Sequence, residues 1–148
     1  MEAILFIGLQ GSGKSSYYKE RFFGTHVHIS LDLFRTRDRE QRFLDVCLMT
    51  RQRFVVDNTN PGRAERVKYF DAAKSAGYSI HGYYFESKID ACVQRNAGRR
   101  SRECVPLAAI LSTSKKLELP RRDEGFDKLF YVRLLDGTFH VEEWRDEV

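Results

Sequence analysis

Eight residues near the N-terminus, Gly8-Leu9-Gln10-Gly11-Ser12-Gly13-Lys14-Ser15, satisfy every fixed position of the pattern G-x-x-x-x-G-K-[ST]. Before them runs the unbroken apolar stretch Ala3-Ile4-Leu5-Phe6-Ile7, as expected of a strand buried on both faces. After them, Ser16 to Phe23 can carry a helix that stops at Gly24. Strand, glycine-rich turn and helix in this order predict a phosphate-binding loop. Gly8, Gly11 and Gly13 let the backbone turn tightly and aim its N–H groups inward. The start of the helix adds positive potential. Lys14 is placed to bridge outer phosphates and the Ser15 hydroxyl to ligate Mg²⁺. Ser12 and Ser16 complete the set expected to contact a nucleoside triphosphate.

Length and composition narrow the rest. The chain has 148 residues, 42% hydrophobic and 31% charged, which suits one globular domain over 1–148, with a core at 1–135 and a hairpin and tail at 136–148. No apolar run approaches the roughly eighteen residues of a membrane span. The first strand begins at once, so no leader peptide is expected and the cytoplasm is the expected compartment. Cys47, Cys92 and Cys104 form neither a metal-type CxxC nor a disulfide framework and read as thiols in a reducing environment. A balance of 25 basic against 21 acidic residues is too mild to indicate nucleic acid by itself.

Along the chain, strand and helix patterns alternate. A short strand at 26–30 leads into Leu31-Asp32-Leu33-Phe34-Arg35. In an open parallel sheet, ligands sit beyond the carboxyl ends of strands, which is where Asp32 and Arg35 fall. Their spacing puts both on one helix face; equally, they read as a dipole-stabilised N-terminal acid and a solvated arginine. Residues 36–52 read as a charged helix with Phe43, Val46, Cys47 and Met49 inward. Arg53 to Val56 form the third strand, ending in Asp57-Asn58-Thr59-Asn60-Pro61. An acid at that tip suits Mg²⁺ orientation through water, which makes Asp57 a metal candidate, while Asn60 also fits a plain helix cap.

A helix at 62–76 follows, with Val67, Phe70, Ala73 and Lys74 at helical spacing, and then an aromatic strand at 78–86. His81 lacks a partner at ligand spacing and reads as structural or superficial. In the helix at 89–96, Ile89, Cys92 and Val93 face inward. Arg95, Arg99, Arg100 and Arg102, broken by Gly98, predict an arginine-bearing lid able to clamp phosphates. A helix from Pro106 toward Leu119 and a last core strand at 128–135 complete the sheet. Asp136-Gly137 has hairpin chemistry. The sequence Asp136-Gly137-Thr138 matches part of a phosphatase signature, but Leu134 occupies the nucleophile position, so it reads as a turn. The tail from Glu142 is expected to be partly mobile. The whole implies a three-layer α/β P-loop kinase fold with a mainly parallel sheet, helices on both faces and a helical lid.

The phosphate loop, the D-x-x-R of Asp32 to Arg35, the run Asp57 to Pro61 and the Arg95–Pro106 segment together resemble the kinase domain of 5′-hydroxyl polynucleotide kinases. The resemblance spans roughly residues 1–135, and Phe126 before the last strand fits the animal-type pattern. It implies ATP and Mg²⁺ as donor and cofactor, and the 5′-OH ends of DNA or RNA as acceptor. It implies Asp32 as the general base, Arg35 as the contact to an acceptor phosphate and Asn60 beside it. It implies Arg99 as the lid arginine on the nucleotide phosphates, with Arg100 as the alternative and Arg95 at the base of the lid. Phosphatase and ligase functions are expected on separate partners. A small-molecule or zeta-toxin-like kinase of the same fold is the competing expectation; a nucleotide-dependent switch is a third, disfavoured by an acid in base position and a lid.

Overall fold

The apolar run before the phosphate loop becomes β1 (Glu2–Ile7), buried from Ala3 onward, inside a six-stranded sheet in the computed structural model. The structure describes residues 1–101 and 103–146; Arg102 of the expected lid and the tail residues Glu147 and Val148 lie outside the described residues. The strand order is β2-β3-β1-β4-β5-β6, with β2 (Val27–Ile29), β3 (Phe54–Val56), β4 (Ser79–Phe85), β5 (Lys128–Leu135) and β6 (Thr138–Glu143). The first five strands are parallel and β6 returns antiparallel to β5. Asp136 and Gly137 supply the positive φ angles (50° and 74°) of the two-residue turn between them.

Alternation along β1 sends its side chains to two cores. Leu5 and Ile7 join Ile29, Leu44, Cys47, Val56, Tyr69 and Phe70 beneath α3 (Arg37–Thr50) and α4 (Arg63–Ser75). Ile4 and Phe6 join Tyr17, Tyr18, Phe22, Val55 and Phe85 beneath α1 (Lys14–Arg21). A third cluster of Leu9, Cys92 and Ile110 packs α5 (Ile89–Ala97) and α6 (Leu107–Lys116) beside the phosphate loop. The expected three-layer α/β P-loop kinase fold is therefore present.

Several expectations are corrected. Helix α2 is one turn, Leu31–Phe34, and Arg35 ends it with φ 75°, so Asp32 and Arg35 do not share a helix face. A non-glycine residue there is strained. In α3 the buried side is Glu40, Leu44 and Cys47, while Phe43, Val46 and Met49 are 50%, 51% and 77% exposed. This helix lies against the edge strand β2, so one of its flanks has no neighbour to bury it. In α4, Val67 faces out and Arg66 is fully buried. Ile89 is also exposed. Finally, the start of the tail is tied down. The Trp144 N–H donates to the Leu129 carbonyl, and its buried ring packs edge-on to Tyr84.

Candidate active site

The strand order β2-β3-β1 sets three loop beginnings side by side at the carboxyl edge of the sheet. They carry Asp32, Asp57 and the phosphate loop. Between them opens a cleft of about 390 Å³, lined by Lys14, Ser15, Ser16, Asp32, Asp57 and Arg99 among others.

The loop is shaped by glycine where no other residue fits. Gly11 has φ 82°, and a Cβ there would run into the carbonyl oxygen of Cys92, so the loop backbone rests directly on α5. Gly13, with φ 102°, caps α1 in the left-handed region. Lys14 is buried, and its Nζ donates to the carbonyls of Gly8 (3.0 Å) and Leu9 (2.8 Å), spanning the loop from inside. Burial pushes its pKa below the ordinary lysine value; the neighbouring Asp57 carboxylate opposes that shift. Among the described residues, the buried Ser12 hydroxyl has no hydrogen-bond partner. An unsatisfied buried hydroxyl in a glycine-rich loop that a lysine spans from inside suits a polyanion rather than an apolar ligand.

Ser15 Oγ donates to Asp57 Oδ2 at 2.8 Å, and His28 Nε2 meets the same oxygen at 2.7 Å. No group of three or more His, Cys, Asp or Glu side chains able to hold a metal occurs among the described residues. Mg²⁺ needs no such group: one or two hard oxygen donors, substrate phosphates and water suffice. Ser15 and Asp57 provide those donors in the right place for it.

Asp32 lines the same cleft, exposed, on the helix turn that begins at Leu31. That turn is anchored from the third strand. The Leu31 N–H donates to Asn58 Oδ1 (2.9 Å), and Asn58 Nδ2 donates to Glu40 Oε2 (2.6 Å). Glu40, almost fully buried, accepts at Oε1 from Tyr69 Oη (3.0 Å) and Arg37 Nη1 (3.1 Å). Burial, followed by the Glu40 carboxylate, pushes the Tyr69 phenol well above its usual value, so it is a donor throughout. Arg37, thus braced, lines the cleft; Arg35 does not. Nothing in the sequence marks Glu40 or Arg37, because each is one charge among many in a charged helix.

The remaining expected residues divide. Arg95 lines the cleft and donates to the Gly11 carbonyl (3.1 Å), so it braces the loop from α5. Arg99 reaches the cleft and Arg100 is exposed outside it. The segment bearing them is clipped at its base. Asn96 Nδ2 donates to the Val105 carbonyl (2.8 Å), and the Val105 N–H donates to Asn96 Oδ1 (3.0 Å). Asn60, expected at the substrate, is buried in the left-handed region (φ 44°) with its amide donating to the Phe6 carbonyl at 2.7 Å. It pins the third-strand loop to β1, and Asn58 and Thr59 face the cleft instead. It is not the helix cap either; Gly62 is, with its N–H donating to Glu65 Oε2. Behind the loop, fully buried Arg66 donates to both Glu124 carboxylate oxygens and to the carbonyls of Asn60, Pro61 and Glu118.

A phosphate loop with its lysine, a strand-end aspartate on its serine and a second acid in the same cleft, all on this sheet, define a P-loop kinase-like nucleotide-binding domain. The chain belongs to the family described as AAA domain, which matches residues 29–120, more than half of its length. That match begins downstream of the phosphate loop, so the two observations are independent. A mimivirus protein named putative bifunctional polynucleotide phosphatase/kinase is 30% identical over 96% of this chain and 34% of its own length. The chain spans about a third of the length of the curated relatives it matches. Among solved structures, a gluconokinase from Sinorhizobium meliloti aligns with TM-score 0.61 at 20% identity, over 89% of this chain and 82% of its own. Kti12 from Chaetomium thermophilum, in complex with ADP-AlF3, aligns with TM-score 0.62 at 16% identity over 88% of each chain. These two establish the fold. No helix of the described residues is long and apolar enough to cross a membrane.

Proposed function

We propose that this phosphotransferase-type domain moves the γ-phosphate of ATP to the 5′-hydroxyl of a DNA or RNA end. The observation that carries the reading is that Asp32 lines the same cleft as Lys14, Ser15 and Asp57, on a turn anchored by Asn58. The relative named as a polynucleotide phosphatase/kinase supports the choice of acceptor.

In this reading the loop N–H groups and Lys14 hold the triphosphate, and Arg95 keeps the loop in shape. Mg²⁺, held by Ser15 and Asp57, would neutralise charge on the β- and γ-phosphates. Asp32 takes the proton of the 5′-OH as its oxygen bonds to the γ-phosphorus and the bond to the β-phosphate oxygen breaks, releasing ADP. The transition state is loose, so an ordinary carboxylate suffices and most of the catalysis is positioning and electrostatics. Arg99 stabilises charge on the transferred group. Arg35 and the braced Arg37 are the cations available to an acceptor phosphate.

The test is transfer of label from ATP to a panel of 5′-OH DNA and RNA oligonucleotides, with gluconate and other small alcohols alongside. Label at the 5′ end of an oligonucleotide is expected. Asp32→Ala should lower transfer about 10²-fold or more while ATP binding stays close to wild type. Labelling of a small alcohol alone, or full activity in Asp32→Ala, would sink the assignment.

A further inference from the structure

His28 sits in the middle of edge strand β2, opposite Val55 of β3. Alternation directs its side chain to the α1 side of the sheet, together with Val55 and Asp57, while Ile29 turns to the other core. Two contacts hold the ring. It stacks on Tyr18 with centroids 4.0 Å apart and planes within 10°, and Tyr18 is itself fixed by its hydroxyl donating to the His26 carbonyl at 2.6 Å. Its Nε2 lies 2.7 Å from Asp57 Oδ2, the oxygen that also accepts from Ser15. An ionised carboxylate only accepts, so Nε2 carries the proton in this pair.

Asp57 is almost wholly buried, yet it lines the cleft. Ser15 and His28 share one of its oxygens, and no side-chain donor occupies Oδ1 among the described residues. The Ser15 hydroxyl is also the group expected to turn toward a metal. Once it does, the contact from His28 is the one side-chain hydrogen bond among the described residues that still fixes the rotation of the carboxylate. We infer that His28 is a positioning residue for the metal site: its Nε2–H locks Asp57 so that Oδ1 faces the cleft whether or not Ser15 is engaged. Partners that orient a metal-binding carboxylate typically change metal affinity about 10- to 100-fold when removed. The inference rests on the nucleotide-binding reading of the loop and is independent of the acceptor.

The experiment compares His28→Phe, which keeps a ring against Tyr18 and removes the donor, with His28→Gln, whose terminal N–H₂ reaches about as far as Nε2. Each is measured for Mn²⁺ binding in the presence of ADP by electron paramagnetic resonance, for metal-free ADP binding, and for thermal unfolding. His28→Phe should bind Mn²⁺ about tenfold more weakly, with metal-free ADP affinity unchanged, and His28→Gln should stay within about threefold of wild type. Mn²⁺ binding by His28→Phe equal to wild type would overturn the assignment. So would equal losses in both variants, which would mean that the ring stack and not the N–H matters. Failure of the wild-type protein to bind Mn²⁺ with ADP would overturn the nucleotide site itself.

Discussion

Exchanging the two partners of the 2.6 Å hydrogen bond between Asn58 and Glu40 gives the sharpest test of how Asp32 is held. Every side-chain partner of the Glu40 carboxylate is a donor: Asn58 Nδ2, Tyr69 Oη, Arg37 Nη1 and, at 3.5 Å, Lys68 Nζ. Glu40→Gln keeps the shape but turns one acceptor into an N–H₂ facing a donor. Asn58 cannot flip to receive it, because its Oδ1 already accepts from the Leu31 N–H. One mismatched, nearly buried polar contact costs about 1–2 kcal/mol. Asn58→Asp alone sets two carboxylates against each other and costs about 1–3 kcal/mol, discounted because Asn58 is half-buried. Together the changes restore complementarity. The aspartate introduced at position 58 accepts from the Leu31 N–H and from the glutamine introduced at position 40, whose carbonyl oxygen accepts from Tyr69 and Arg37. The double variant should therefore lie within about 1 kcal/mol of wild type, a coupling of about 2 kcal/mol against the sum of the singles. Urea unfolding of the four proteins at pH 7.5 measures it, and transfer assays should follow the same order, since Leu31 opens the turn that carries Asp32. Additive losses in the double variant would refute the reasoning.

Two further outcomes follow from buried charge. Arg66→Ala removes the buried cation from the Glu124 carboxylate and takes the donor from the Asn60 and Glu118 carbonyls, so calorimetry should show a loss of about 3–5 kcal/mol, roughly 10 °C or more in Tm; a shift under about 3 °C would contradict the clasp. Burial, partly opposed by Glu2, holds the folded pKa values of His26 and His81 below the ordinary 6.5. The unfolded chain then binds more protons as pH falls below about 6.5, so stability present at higher pH is lost on acidification toward the folded values. The urea midpoint should be lower at pH 5.5 than at 7.5, and a constant or rising midpoint would contradict this.

What can be read from the sequence depends on how locally each feature is determined. The phosphate loop, the strand-end Asp57 and the Asp136-Gly137 turn are encoded by neighbours in the chain, through φ angles that glycine takes readily and through apolar runs. Arg66 is not legible: on a helix surface its pattern matches a solvated arginine, and its burial depends on Glu124, 58 residues away. Glu40 is hidden for the same reason, with partners on other elements. Helical spacing shows that Phe43 and Val46 share an apolar face but not whether a neighbour exists to cover it. The spacing rule that joins Asp32 to Arg35 is cancelled by the φ of 75° at Arg35. Asn60 and Asn58 look interchangeable in a short polar run; which one faces inward depends on the backbone kink at Asn60.

The contact of Gly11 with Cys92 makes the nucleotide loop and α5 a single stiff body, because no side chain lies between the two backbones to absorb relative motion. Two things follow for energetics. The loop is ordered before any phosphate arrives, so binding does not have to supply the conformational entropy of arranging its N–H groups. And α5 becomes a lever: a force on the arginine segment beyond Asn96 is passed through α5 to the peptide groups that would cradle the phosphates, and occupancy of the loop in turn biases where those arginines rest.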